Sequence, residues 1–384
     1  MSKLGTRWGW LSGIVIGGVY IWSAHCASAQ ITPDATLPNN SIVTPSGNTI
    51  NITGGTQAGG NLFHSFKDFS LPTGSEAFFN NTVDIANIIS RVTGSSISNI
   101  DSLIRANGTA NLFLINPNGI VFGPNARLNI GGSFIGSTAS SLKFADGTEF
   151  SATNPIATPL LTISVPMGLQ FGANPREIKV TGPGHEIVYE RVKDQPRPRV
   201  DSNITGLGIE SGKTLALVGG NVSIEGGVLK SPVGRIEIGS VGSNGVVSLV
   251  PVEQGWKLDY EGTPSFADIQ FSRKPFVSTT GSGGGSIAVV GRNIDIIEQS
   301  IVLSDTLGER NGGEISIVGD KITVNESDIS TNTFSAGDAG PIKLIAKNSI
   351  LLDNLGGAGN HTGGLGKAGE ITLKADSIII RNRS

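Results

Sequence analysis

Cysteine is almost missing from this chain: the single one, Cys26, stands close to the start. A single cysteine cannot form an internal disulfide, so burial and backbone pairing must hold the chain together. Charge is scarce as well, with only 15% Asp, Glu, Lys and Arg, well short of an ordinary globular domain. The formal net charge is −3, which argues against a nucleic-acid partner, since such a partner requires a basic face. No stretch sustains a 3.6-residue apolar period, so amphipathic helices are not expected. Long apolar runs are limited to residues 11–23, shorter than the roughly 20 residues a membrane span needs.

That run has the flanks of a leader. Lys3 and Arg7 precede it, and Ala27-Ser28-Ala29 supplies a small-x-small cleavage site before Gln30. Residues 1–29 are therefore expected to be a signal peptide, cut between Ala29 and Gln30. A lipoprotein reading of Cys26 fails because His25 stands where a small residue is needed. Cleavage would remove the only cysteine and leave 26 basic against 31 acidic residues.

What is abundant is glycine, 54 of 384 residues and about twice the usual share, together with Asn, Ser and Thr between short Ile/Val/Leu runs. Stacked short strands with tight corners require that mixture. The clearest case covers residues 111–132, where apolar runs at 112–115, 120–122 and 128–130 are separated by Asn116-Pro117-Asn118-Gly119 and Gly123-Pro124-Asn125-Ala126. Proline presets φ for a turn, and Asn or Gly tolerates the positive φ that tight corners use. Strand, corner, strand, corner, strand is one coil of a right-handed parallel β-helix, and the fold class expected is all-β with that architecture.

Nine of the 15 phenylalanines fall between Phe63 and Phe144, and they are expected to cap the N-terminal end and fill the first coils. Residues 151–280 are expected to continue the helix. Within them the block 173–203 gathers Arg176, Glu177, Lys179, His185, Glu186, Glu190 and Arg191 among four prolines, too charged to lie inside a coil. It is expected to leave the helix surface as an excursion. From 281 to 384 a repeat becomes explicit: Ile287, Ile315, Ile342 and Ile371 each follow a Gly-x pair, and a second apolar run comes some seven residues later. At about 25 residues per coil, the chain after the leader is expected to make about 14 coils. The repeat stops at Ile380-Arg381-Asn382-Arg383-Ser384 without a cap, so a truncated or split version of a longer exoprotein is also expected.

Chemistry is sparse. His64, His185 and His361 are isolated from one another and from other metal-binding residue types, so no metal and no cofactor is expected. Gly212-Lys213-Thr214 is not a phosphate loop: Leu207 stands where the first glycine should be, and the text after it is strand-like. A secreted polysaccharide lyase or hydrolase would need charged groups stacked on adjacent coils. Instead Ser286, Glu314, Pro341 and Glu370 share one repeat position. An enzyme is not expected.

Residues 61–146 resemble the haemagglutination-activity, or two-partner-secretion, domain of filamentous-haemagglutinin-like exoproteins. The resemblance rests on Asn61-Leu62-Phe63-His64-Ser65-Phe66, Arg91-Val92-Thr93-Gly94, Asn111 through Ile120, and Gly131-Gly132-Ser133-Phe134. The family's second motif, Asn-Pro-Asn-Leu, is replaced by Val83-Asp84-Ile85-Ala86-Asn87-Ile88, a departure similar to that of large cyanobacterial members. The resemblance implies a secretion domain over residues 30–150 and export through an outer-membrane TpsB-type β-barrel transporter, recognised by its periplasmic domains. It also implies folding coil by coil outside. Asn116, Pro117, Asn118, Gly119 and Ile120 would be the secretion motif. The function expected is a secreted adhesin or matrix component with a surface or carbohydrate ligand. A polysaccharide-degrading enzyme and a non-functional remnant are the alternatives.

Overall fold

The computed structural model describes residues 30–155, 161–187, 189–192, 195–198, 205–253 and 255–382. Every regular element among them is a β-strand. The strands stack into three parallel ladders, one strand of each per coil, and the result is a parallel β-helix.

The first ladder runs Asn61–Ser70, Asn87–Val92, Asn111–Ile115, Phe134–Ser137, Thr214–Gly219, Arg235–Ser240 and Ser286–Val290. It continues through the first halves of Ile315–Asn325 and Ile342–Asp353 to Ile371–Lys374. The second ladder begins at Ser98–Ile100 and Ile120–Phe122 and ends at Ser377–Ile380. The third is built from short strands such as Glu76–Phe79, Leu103–Ala106, Val228–Lys230, Phe276–Ser278 and Ile301–Leu303. Ile287, Ile315, Ile342 and Ile371 are Cα partners on consecutive coils, so the repeat written in the sequence is the register of the stack. Their side chains alternate inward, and the inner residues of all three ladders form one continuous apolar core.

The glycines ahead of those isoleucines stack too. A Cβ on Gly313 would lie 2.7 Å from the carbonyl oxygen of Gly285, and one on Gly340 or Gly369 would fall on the oxygen of Gly313 or Gly340. Successive corner backbones approach too closely for any side chain there.

Among the described residues ten strands make the first ladder, not the fourteen or so expected from length. The missing residues left the helix. Residues 139–173 intervene between Phe134–Ser137 and Ile178–Thr181, and residues 241–268 between Arg235–Ser240 and Ile269–Ser272. Both depart from the same corner, two coils apart, and so their strands pair. Glu149–Ser151, Ser141–Phe144, Pro166–Gln170, Val246–Val252 and Gly255–Asp259 form a five-stranded antiparallel sheet, joined across the excursions by Leu169 opposite Val247. The segments expected to continue the helix in this region are thus a cover laid on it.

The cover explains why Asn111–Ile115 and Thr214–Gly219 are apolar at consecutive positions. Leu112, Leu114, Leu215 and Leu217 face the main core, while Phe113, Ile115, Ala216 and Val218 face outward into a second core with Leu142, Phe150, Leu169, Leu249 and Trp256. A strand buried on both faces loses its polar alternation. The phenylalanines divide accordingly. Phe66, Phe69 and Phe79 fill the first coils as expected, but Phe63, Phe144 and Phe150 belong to the second core. Gln30–Pro33 and the hairpin Ser41–Ser46/Thr49–Gly54 close the N-terminal end with antiparallel pairing.

The charged block expected as one excursion over 173–203 is split. Ile178–Thr181 stays in the second ladder, and the chain leaves only after it, reaching an antiparallel hairpin of Tyr189–Val192 and Gln195–Pro198. Ile178 and Val180 are buried core residues, and that burial holds the segment in the coil.

Candidate secretion site at the Asn-Pro-Asn-Gly corner

Strand Asn111–Ile115 ends at Asn116, whose side chain is fully buried. Its Nδ2 donates to the carbonyl of Ser96 at 3.0 Å and to Ser98 Oγ at 2.9 Å, both on the preceding coil. Its Oδ1 accepts the backbone N–H of Asn118 at 3.0 Å, and the Asn118 amide reaches on to the carbonyl of Gly94 at 2.7 Å. Such short side-chain-to-backbone bonds are what Asn offers in a turn. Pro117 is partly buried, and Gly119 has φ of +121°, which an L side chain rarely adopts. On the other side, the N–H of Asn116 donates to Ser137 and that of Ile120 to Glu177. The corner is bonded to coils before and after it, and Ile120 is fully buried. An open groove of about 800 Å³ passes Asn118 and Gly119, lined also by Ile97, Val121, Arg176 and Glu177.

The other texts that carry the family resemblance are wired to the same coils. Asn61, Asn87 and Asn111 stack as a ladder: Asn111 Nδ2 donates to Asn87 Oδ1, and Asn87 Nδ2 to Asn61 Oδ1, each at 2.9 Å. Asn61 in turn donates to the carbonyls of Thr162 and Ser164 in the cover, and Asn111 Oδ1 accepts the N–H of Ser133 at 2.8 Å. Sequence reasoning missed this ladder, although an Asn opening an apolar run every 24 to 26 residues was a visible signal.

Arg91 is likewise fully buried. Its guanidinium donates to Ser65 Oγ at 2.8 Å, Thr36 Oγ1 at 2.9 Å and the Ser151 carbonyl at 2.6 Å, and it lies 4.1 Å from the ring centre of Phe150. Burial lowers its pKa to about 10, against the pull of Asp34. Asp34 accepts hydrogen bonds from Ser65, Thr93 and Thr36; burial opposes its ionisation, but these bonds prevail and hold its pKa below the usual value. His64 is buried beside Ser41, with Oγ and Nδ1 2.9 Å apart, and burial drives its pKa down to about 3.

Of the expected cleavage pair, Ala29 lies outside the described residues, as do residues 1–28. Gln30 opens the strand Gln30–Pro33 opposite Ser70. Among the described residues no three His, Cys, Asp or Glu side chains converge as a metal site, and no helix is long and apolar enough to cross a membrane.

Residues 29–289 match the family model of the TPS secretion domain. The chain belongs to this family. It is accordingly an exoprotein of two-partner secretion, a pathway that implies a TpsB transporter as partner and a destination at the cell surface or beyond. The TPS match extends past residue 150, where the motif text placed the end of the domain, and takes in both halves of the cover. Among solved structures, the chain is similar to the HMW1 secretion domain from Haemophilus influenzae, at 15% identity and TM-score 0.49 over 89% of this chain and 98% of that one. It is similar also to the filamentous hemagglutinin secretion domain, at 14% identity and TM-score 0.41 over 91% and 99%. No curated protein matches it.

Proposed function

We propose that this TPS protein is a secreted, non-enzymatic adhesin or matrix component. Its leader would be cut between Ala29 and Gln30, and its outer faces would meet a surface or carbohydrate ligand. The corner at Asn116, Pro117, Asn118, Gly119 and Ile120 serves export by locking its coil to its neighbours as the chain emerges from the transporter. The observation that carries this role is the placement of Asn116. Its amide is wholly buried and bonded to Ser96, Ser98 and Asn118, so it is available for building the coil rather than for surface contact. A stacked fold that nucleates at one end and propagates would turn each locked coil into a barrier against backsliding.

The test is the Asn116→Ala/Pro117→Ala double variant, followed by antibody in medium, outer surface and periplasm. Reduced export with periplasmic accumulation or degradation is the expected result. Export at the wild-type level would remove the motif's role, and finding wild type confined to the periplasm would remove the export reading.

A further inference from the structure

The segment that leaves the second ladder after Thr181 does not run freely into solvent. It lies along the corner between the second and third ladders and bonds three successive coils. The N–H of Gly184 donates to the carbonyl of Gly226 at 3.0 Å, the N–H of His185 to that of Lys274 at 2.9 Å, and the His185 ring reaches the carbonyl of Gln299 with Nε2 at 2.7 Å. Gly184 has φ of +84°, and a Cβ on it would lie 2.8 Å from the Arg273 oxygen, so glycine alone lets the segment lie this close. Arg273, Lys274, Glu298 and Gln299 also have positive φ, although none is a glycine. This left-handed corner recurs from coil to coil, and the carbonyls of Lys274 and Gln299 meet the segment from it.

The imidazole is only 5% exposed, and its tautomer follows from its neighbours. A carbonyl accepts at Nε2, so Nε2 carries the hydrogen. Nδ1 then accepts the N–H of Ile187 at 3.1 Å. The ring stands edge-on to Phe276, and Ile187 packs on Val228, Phe276, Ile301 and Leu303, an apolar cluster on the outer face of the third ladder that the main core does not reach.

We propose that residues 182–187 form a proton-sensitive clasp, with His185 as its catch, that holds three coils together at neutral pH and lifts from the Val228–Phe276–Ile301–Leu303 patch in acid. A proton added to the ring must sit on Nδ1, opposite the Ile187 N–H, so one hydrogen bond is replaced by two facing donors. The charged groups on the elements packed around the ring include Arg273 and Lys274 at one corner, Glu298 at the next, Glu225 beside Gly226 and 3.8 Å from Arg273, Lys230 on the third ladder, and Glu186 on the clasp itself. Burial leads in lowering the pKa of His185, and Lys274 adds to it while the bond to Gln299 opposes. The closed form is thus the poorer proton acceptor, and protonation favours the open one. Because Gln299 and Ile301 lie beyond the TPS match, the clasp also ties the secretion domain to the repeat coils.

Hydrogen exchange on the full chain, corrected for intrinsic rates between about pH 7.5 and 4.5, tests this. Amides of 182–187 are expected to lose protection at least tenfold with a midpoint below that of free imidazole, about 6.5, while strand Ile315–Asn325 keeps its protection. In His185→Gln the protection of 182–187, high or low, should not change with pH. Wild-type protection that does not vary with pH, loss shared with Ile315–Asn325, or the same pH-dependent loss in His185→Gln would each overturn the proposal.

Discussion

Arg91 and Asp34 are joined through two hydroxyls rather than by direct contact. Ser65 Oγ accepts from Arg91 Nε and donates to Asp34 Oδ2, while Thr36 Oγ1 accepts from Arg91 Nη2 and donates to Asp34 Oδ1. The paired relay ties the N-terminal segment to the first two coils, and the Ser151 carbonyl adds the cover. Four parts of the chain far apart in sequence close on one buried cation.

Removing the acid should therefore be costly. Asp34→Ala leaves the Arg91 charge buried without its counter-charge, which typically destabilises by about 3 kcal/mol. Denaturant unfolding of Asp34→Ala is expected to show that loss. The Asp34→Ala/Arg91→Met pair should recover part of it, since a well-packed apolar replacement removes the uncompensated charge. A single variant as stable as wild type would mean that the relay contributes nothing.

Acid should weaken the N-terminal cap through His64. In the unfolded chain this imidazole takes a proton below about pH 6.5, while in the folded protein burial delays it to about 3. Its folded pKa is depressed, so the stability tied to it is complete above 6.5 and declines as the pH falls toward 3. The slope is at most about 1.4 kcal/mol per pH unit for one proton. His64→Phe, packed among Phe66 and Phe79, should flatten the fall in unfolding midpoint over that interval whatever its stability at neutral pH. Parallel pH profiles for the two proteins would contradict this.

Stacking of the repeat coils should fail at Gly340. A Cβ there would overlap the carbonyl oxygen of Gly313, a backbone atom that cannot swing aside, whereas Gly359 has nothing within 4 Å of its would-be Cβ. Gly340→Ala is expected to open the coils from Ile315 onward to proteolysis, at a cost of about 3 kcal/mol or more. Gly359→Ala should stay close to wild type. Equal resistance of the two variants would show that the corner can relax.

The repeat region was legible because each coil there obeys one local rule. Ile287, Ile315, Ile342 and Ile371 alternate with polar neighbours, and alternation together with spacing is enough to set parallel register. The cover was not legible. Residues 151–280 read as a continuation of the helix, and nothing local says that Ser141–Phe144 and Val246–Val252 pair with Pro166–Gln170 rather than extend a ladder. The hint lay elsewhere, in Leu112-Phe113-Leu114-Ile115, where an apolar residue at every position means that something must cover the outer face. At the Asn-Pro-Asn-Gly corner, Asn116, Pro117 and Gly119 announced a turn through their backbone preferences. The burial of the Asn116 amide depended on where Ser96 and Ser98 of another coil came to rest.

By itself the sequence determined the class of structure: strands too short for helices, corners of Asn, Gly and Pro, a register repeated every 27 to 29 residues in the last coils, and a single cysteine, which cannot form an internal disulfide to replace backbone pairing. These are properties of single residues and near neighbours, set by sterics and by the period of side chains along a strand. Only the tertiary structure decided that two excursions from one corner pair into a cover, that Asn61, Asn87 and Asn111 share one line of amides, and that Gly184 and His185 together bond three coils. Each of these joins atoms that are adjacent only once the coils have stacked, and the strength of each bond comes from the burial that stacking creates.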